Sequence, residues 1–361
     1  MQHRKITLIA EAGVNHNGDL NKALALIDAA ADAGADLIKF QTFSAKAMVA
    51  KTAALADYQA QQIGTGKTQL EMLLELELDE AAHHALIEKC SARGIGFLST
   101  PFDLVSLELL TKGLGQRLLK IGSGDLNNGP LLYAAAKTGC EIILSTGMSD
   151  LGEIERALGL LALGYSTEPP VAPSRCDMRE AWSDPQMRAR LHGKVTILHC
   201  VSNYPSSPEA TNLHTIATIR AAFGLPVGYS DHTLGGTASI AAAALGACCI
   251  EKHLTLDKSM DGPDHSASAE PDEIAGIFSA VRDVEAMLGS RVKCCTPEER
   301  STMKAARKHL VAQSDIAKGR PFTLENLSTK RAAAGRDPLS YWEILGTLAK
   351  KDYNEGDPID E

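Results

Sequence analysis

The sequence predicts an α/β protein built as a (β/α)8 TIM barrel followed by a small β-rich domain. Three observations carry this. Short apolar segments alternate with amphipathic or Ala-rich ones eight times over roughly 285 residues, the size of one such barrel. Polar residues recur at the C-terminal ends of the predicted strands, where a parallel barrel gathers its site. After Ser290 the pattern changes to short β-like runs broken by turn signals. A doubly wound open sheet is the competing arrangement. It usually brings fewer strands or a Gly-rich nucleotide turn, and no GxGxxG follows the first strand.

Strands are predicted over residues 6–10, 37–40, 96–99, 118–121, 142–145, 195–198, 227–230 and 249–252. Helices are predicted between them over 21–33, 79–93, 104–112, 130–138, 151–163, 213–222 and 234–247, with 272–288 after the last strand. Two connections exceed a minimal turn. Residues 45–69, with Thr65-Gly66-Lys67, leave strand two at the C-terminal face and read as a lid. Residues 164–193 precede strand six at the opposite face and read as a peripheral insertion with little bearing on chemistry. The barrel takes residues 1–290, a linker 291–300, and the second domain 301–361. That domain has β-like runs at 309–312 and 324–328, separated by turn pairs such as Lys318-Gly319 and Gly335-Arg336. About 60 residues give a thin core that benefits from docking elsewhere.

A net charge of −9 disfavours nucleic acid and anionic membranes, so an anionic substrate needs locally concentrated positive charge. The eight cysteines contain two adjacent pairs and no CxxC, which predicts reduced thiols in a cytoplasmic protein. The N-terminal MQHRKITLIAEAG lacks the apolar length of a signal peptide, and no stretch is long and apolar enough to span a bilayer.

His232 lies just past one predicted strand and His253 ends the next, so a parallel barrel brings them together. With Asp231, Glu251 and Asp264 nearby, they suit a divalent metal with positions open for substrate; hydrogen-bonded histidines at strand ends are the alternative. The strand-end series continues through Glu11, Lys39 with Gln41, Thr100, Lys120 with Ser123, Ser145, His199 and Ser230. Each alone is compatible with a local cap or ion pair, but a purely structural barrel does not need all of them. Lys39, Lys120 and the hydroxyls of Thr100, Ser123, Ser145 and Ser230 suit a small phosphorylated carboxylate, with the amides of 122–124 as further donors. Glu11 and Asp125 remain to orient sugar hydroxyls or move protons. His199, led into by an apolar strand, reads as a satisfied core imidazole.

The motifs IAEAGVNHNG, IKFQTF, STPFD, KIGSGD, ILSTGM, HCVSNYP, GYSDHT, IEKHLTLD and GPDHSAS, in order over nearly the whole chain, resemble the sialic acid synthase family. The resemblance implies metal-dependent condensation of phosphoenolpyruvate with N-acetylmannosamine, forming N-acetylneuraminate and phosphate. It also implies a TIM barrel followed by an antifreeze-like (SAF) domain, in a domain-swapped homodimer. It assigns His232 and His253 to a divalent ion, Mn2+ with Mg2+ or Co2+ as alternatives. Lys39, Thr100, Lys120, Ser123, Ser145 and Ser230 go to phosphoenolpyruvate. Glu11, Gln41, Asp125, Tyr204 and Asp264 go to the amino sugar or the reacting centre, with Glu11 and Asp125 as catalytic candidates. Arg331 of TKR matches the arginine that reaches the partner's barrel towards the N-acetyl group.

Three departures from the family pattern bear on the sugar. Asp125 stands where these synthases often carry Glu. VSNYP replaces a TTEYP-like loop, and KRAAAG lacks the Pro and Asn of the family's turn after Arg331. Legionaminate synthases share almost all the barrel motifs, so a 2,4-diacetamido-2,4,6-trideoxymannose is the alternative substrate. Phosphorylated sugars such as arabinose 5-phosphate need a second phosphate site, and no further basic cluster supplies one. A non-catalytic binding protein is the remaining alternative, against which the strand-end polar series speaks.

Overall fold

The computed structural model describes residues 5–50 and 68–361. The chain divides between Gly289 and Ser290 into two units, each with its own apolar core. In the first, eight strands pair in parallel: β1 (Thr7–Gly13), β2 (Leu37–Thr42), β3 (Gly96–Pro101), β4 (Leu118–Ile121), β5 (Glu141–Ser145), β6 (Val195–Cys200), β7 (Val227–Asp231) and β8 (Cys249–His253). Their order is β3-β2-β1-β8-β7-β6-β5-β4, and β3 packs beside β4, so the sheet curls into a nearly closed barrel.

Strand parity sorts the side chains. Leu8, Ile38, Leu119, Ile142, Ile197, Val227 and Ile250 join the outer core, shared with the surrounding helices. Ile9, Leu98, Ile143, Leu198 and Cys249 form a separate apolar plug within the ring. Residues two apart on a strand share a face. The next layer above the plug is therefore Glu11, Thr100, Ser145, Cys200 and Glu251. An apolar floor thus carries a polar ceiling, which becomes the site. The plug is tight: a Cβ at Gly228 would stand 2.4 Å from Cys249 Sγ and 2.6 Å from the Cys249 carbonyl oxygen.

Helices form where predicted, several with clear stops. Asp79 caps Glu80–Arg93 by accepting from Ala82 N, and Gly94 ends it in the left-handed region at φ 71°. Most strands extend past their predicted ends, by up to three residues. The added residues include Glu11, Gln41, Thr100 and His253, polar side chains that line the interior at the strand ends. The predicted insertion 164–193 contains two helices, Arg175–Ser183 and Pro185–Ala189. The first lies against Leu151–Gly164, where a Cβ at Gly159 would stand 2.3 Å from the Met178 carbonyl oxygen, so it packs outside the helix ring. The lid predicted over 45–69 rests largely on residues 51–67, outside the described ones. Its flanks are helical, Ala45–Met48 and Gln69–Leu76.

The second unit pairs β9 (Lys308–Ala312) antiparallel with β10 (Leu327–Arg331) over a core including Leu310, Phe322, Leu327, Tyr353 and Ile359. The second β-like run lies three residues later than its predicted start, which puts Arg331 opposite Lys308 at the strand end. Helix Glu299–Ala306 begins inside the predicted linker. Among the described residues, no helix is long and apolar enough to cross a membrane.

Candidate active site

A cavity of about 520 Å³ opens over the polar layer at the C-terminal end of the barrel. Its lining includes Glu11, Lys39, Gln41, Thr100, Lys120, Ser123, Ser145, Tyr204, Ser230, His232, His253 and Asp264. At its centre two lysines alternate with two glutamates. Lys39 Nζ is 3.0 Å from Glu11 Oε1 and 3.4 Å from Glu251 Oε2, and Lys120 Nζ is 3.7 Å from Glu251 Oε1. Lys120 also donates to Ser145 Oγ at 2.7 Å, and Ser230 Oγ donates to Glu251 Oε1 at 2.6 Å. All are buried. The carboxylates beside them are what makes two buried ammonium groups tolerable.

The two carboxylates are not equivalent. Burial raises Glu11 to about 7, because attraction to Lys39 only partly offsets it and Glu251 repels it. Burial also acts on Glu251, but Lys120, Lys39 and the Ser230 hydrogen bond outweigh it and hold that carboxyl well below the usual range. Near neutral pH the exchangeable proton of this group sits on Glu11, whose Oε2 has no hydrogen-bond partner. Glu11 is the group equipped to take or give a proton.

The histidine rings lie 5.4 Å apart, and Tyr204 packs against both, 4.1 Å from His232 and 5.5 Å from His253. His232 Nδ1 donates to the Val201 carbonyl at 2.6 Å, which puts the ring's lone pair on Nε2, 3.3 Å from Ser230 Oγ. His253 Nδ1 is buried without a hydrogen-bond partner. Burial lowers His232 to about 4 and takes His253 well below its ordinary value. Neutral imidazoles that keep a lone pair on a ring nitrogen are the donor chemistry a divalent cation needs. Among the described residues, no cluster of three or more His, Cys, Asp or Glu is arranged to enclose one, so these two leave most of the coordination sphere to other ligands.

Three comparisons locate this arrangement among known proteins. The NeuB family model matches residues 26–293. The N,N'-diacetyllegionaminic acid synthase of Campylobacter jejuni is 44% identical over 99% of this chain and 100% of its own length. The N,N'-diacetyllegionaminic acid synthase of Legionella pneumophila is 39% identical over 97% of this chain and 92% of its own. The chain belongs to the NeuB family. Membership makes it an enzyme, a phosphoenolpyruvate-dependent nonulosonate synthase. The crystal structure of the N-acetylneuraminic acid synthetase of Leptospira borgpetersenii, in complex with citrate, is 33% identical. It superposes with a TM-score of 0.67, covering 83% of this chain and 91% of that one.

Within this NeuB barrel some predicted residues fall elsewhere. Asp125 is outside the central lining, in an adjoining groove with Asn128, Leu104 and Val105 that shares Met48, Phe102 and Gly124 with the main cavity. Its carboxylate accepts from Asn128 Nδ2 at 2.9 Å, because the short turn Ser123–Asp125 carries it past the rim. Arg331 is exposed at the end of β10 in the second unit. Asp231 does not converge on the histidines. Its carboxylate accepts from Thr233 N and Oγ1 and from Ser239 Oγ, and pairs with buried Lys252 at 3.1 Å. It braces the turn that presents His232. His199 spends Nε2 on the Thr211 carbonyl at 2.7 Å, outside the cavity.

Two features of the NeuB site went unpredicted. Glu251 emerges as the counter-ion of both lysines, a role its position two residues before His253 on the same strand face would have signalled. Met72, Leu73 and Leu76, on the helix capped by Thr68 and Glu71, form an apolar wall with Met48. The capping box TQLE was its sequence signal.

Proposed function

We propose that this nonulosonate synthase condenses phosphoenolpyruvate with 2,4-diacetamido-2,4,6-trideoxymannose to give N,N'-diacetyllegionaminate and phosphate. The identity of 44% and 39% to two diacetyllegionaminic acid synthases over nearly their whole lengths carries this reading. It reverses the order predicted from sequence, in which N-acetylmannosamine came first. The apolar wall of Met48, Met72, Leu73 and Leu76 supports it. A 6-deoxy sugar with a second acetyl group has more methyl surface to bury there.

Lys39 and Lys120 supply point charge to the phosphate and carboxylate of phosphoenolpyruvate, with Thr100, Ser123, Ser145 and Ser230 as hydroxyl partners. Enol C3 attacks the sugar aldehyde carbon, whose oxygen takes up a proton and becomes a hydroxyl. Water adds at C2, and that carbon collapses to the 2-ketone as phosphate leaves by C–O cleavage with the C2 hydroxyl proton. Glu11 takes the water proton, while Gln41, Tyr204 and Asp264 face the sugar. His232 and His253 would hold a divalent ion, Mn2+ or a relative, which supplies Lewis acidity towards the aldehyde when bound. Asp125, from its adjoining groove, is kept as a second carboxylate near the sugar. We also read the second unit as an SAF domain that exchanges in a homodimer and brings Arg331 to the partner's sugar. With all eight cysteines free, we place the enzyme in the reducing cytoplasm.

The deciding experiment is phosphate release from phosphoenolpyruvate with Mn2+, offering the diacetamido sugar beside N-acetylmannosamine. A higher kcat/KM for the diacetamido sugar is expected. Preference for N-acetylmannosamine restores sialic acid synthesis, and turnover of neither removes both sugars.

A further inference from the structure

The loop after β8 runs from Leu254 to Glu270 with one short 3-10 turn, His265–Ala267, and carries Asp264 into the cavity. A segment so poor in regular structure needs something else to fix it. Its bracing comes from the loop after β1. Asn15 Nδ2 donates to the Leu254 carbonyl at 2.8 Å and to Ser268 Oγ at 2.9 Å. Ser268 Oγ in turn donates to the Asp264 carbonyl at 2.7 Å. Asn17 Nδ2 donates to the Asp261 carbonyl at 2.9 Å, and its Oδ1 is 3.1 Å from His265 Nε2. His265 Nδ1 meets Thr255 Oγ1 at 2.7 Å.

The Asn15 and Thr255–His265 bonds are buried, Asn15 being 1% exposed and His265 and Thr255 fully buried, whereas the Asn17 bonds lie nearer the surface. The approach leaves no slack. A Cβ at Gly262, where φ is +155°, would stand 2.5 Å from the His265 ring and 2.9 Å from Asn17 Oδ1. Asn17 itself adopts a left-handed backbone at φ 51°, a conformation Asn tolerates better than most residues. The loop after β1 is a run of turns, with Asn15 N, Asn17 N and Asp19 N bonding back to Ala12, Val14 and His16 carbonyls.

We propose that Asn15 and Asn17 are positioning residues, which hold the β8 loop against the β1 loop and thereby fix Asp264 in the sugar half of the cavity. None of them lines the cavity, so they act through Asp264 and not on substrate. The inference rests on Asp264 facing the sugar, and its test separates the two ideas.

The first arm needs no substrate. Hydrogen exchange on the intact enzyme compares wild type with Asn15→Ala. Exchange at least tenfold faster at the amides of residues 255–268, with β4 and β5 unchanged, is expected. Unchanged exchange in that loop overturns the inference. So does acceleration across the whole barrel, which marks general destabilisation.

The second arm is a double-mutant cycle with Asp264→Asn, reading kcat/KM for the sugar and for phosphoenolpyruvate separately. Asn15→Ala is expected to lower the sugar value about tenfold in wild type and not at all in the Asp264→Asn background, with the phosphoenolpyruvate KM unmoved. Asn15→Asp keeps an oxygen in place of the donor and should not rescue, whereas Asn15→Gln should in part. Additive losses, with Asp264→Asn itself impaired, overturn the positioning role alone. An unimpaired Asp264→Asn overturns it together with the sugar-facing role of Asp264.

Discussion

Glu11 and Glu251 flank the same lysine, yet their net shifts are opposite, because Glu251 has two ammonium partners and a hydroxyl while Glu11 has one ammonium group. The consequence is an activity limb near neutrality. As Glu11 loses its proton around pH 7, kcat/KM should rise. Glu11→Gln should abolish that limb and lower kcat by about 100-fold or more, the usual size of a lost acid–base group. A flat profile in the wild type, or near-normal turnover in the variant, removes Glu11 from proton transfer. Stability runs the other way. The folded pKa lies above the ordinary 4.5, so between about 4.5 and 7 the unfolded chain binds fewer protons than the native one. Stability therefore falls across that window, and the Gln variant should lose the slope in denaturant titrations. Asp231 tests the distinction between a ligand and a brace. Asp231→Ala leaves the Lys252 ammonium buried without its carboxylate, which costs about 3 kcal/mol. Urea unfolding checks this, and a change under about 0.5 kcal/mol, the size of a neutral surface change, would deny Asp231 that role.

At the scale of elements, the alternation of apolar strand and amphipathic helix was enough to foresee the barrel, since parallel strands covered on both faces read as continuous apolar runs. The site was legible for the same reason. A polar residue at the end of such a run has no structural role in an outer core, so Lys39, Lys120 and Ser145 stood out. What escaped was facing within a strand: Glu251 and Asp231 both look like strand-end carboxylates, and their pairing with Lys120 and Lys252 depends on which side of the sheet each faces. Asp125 escaped because the turn after β4 has no periodicity to read. The plug beneath the site makes its own prediction. Gly228→Ala forces a methyl against Cys249, and overpacking of this kind costs about 1–3 kcal/mol. Thermal unfolding should show the loss, and Cys249→Ala in the same chain should recover part of it. No recovery would mean that the contact is not what limits this position.

The whole molecule poses the question of where Arg331 acts. The described cavity is lined by two cationic side chains, Lys39 and Lys120, and if both serve phosphoenolpyruvate as proposed, recognition of the amino sugar there falls to neutral and acidic groups. An exposed arginine on a separate unit has a reason to exist if a second copy of the chain receives it. Complementation decides this with two dead variants. Arg331→Ala keeps an intact barrel, and His253→Ala keeps an intact arginine. If the arginine acts across a two-fold dimer, mixed dimers contain one site with both groups intact. Random reassortment then returns about a quarter of wild-type activity, half the dimers being mixed and half of their sites complete. If the arginine serves its own barrel, every site in every mixture lacks one group and nothing returns. Sedimentation of the mixture confirms that dimers exchange, so a null result in exchanging dimers overturns action in trans, as does a wild-type enzyme that stays monomeric at full activity.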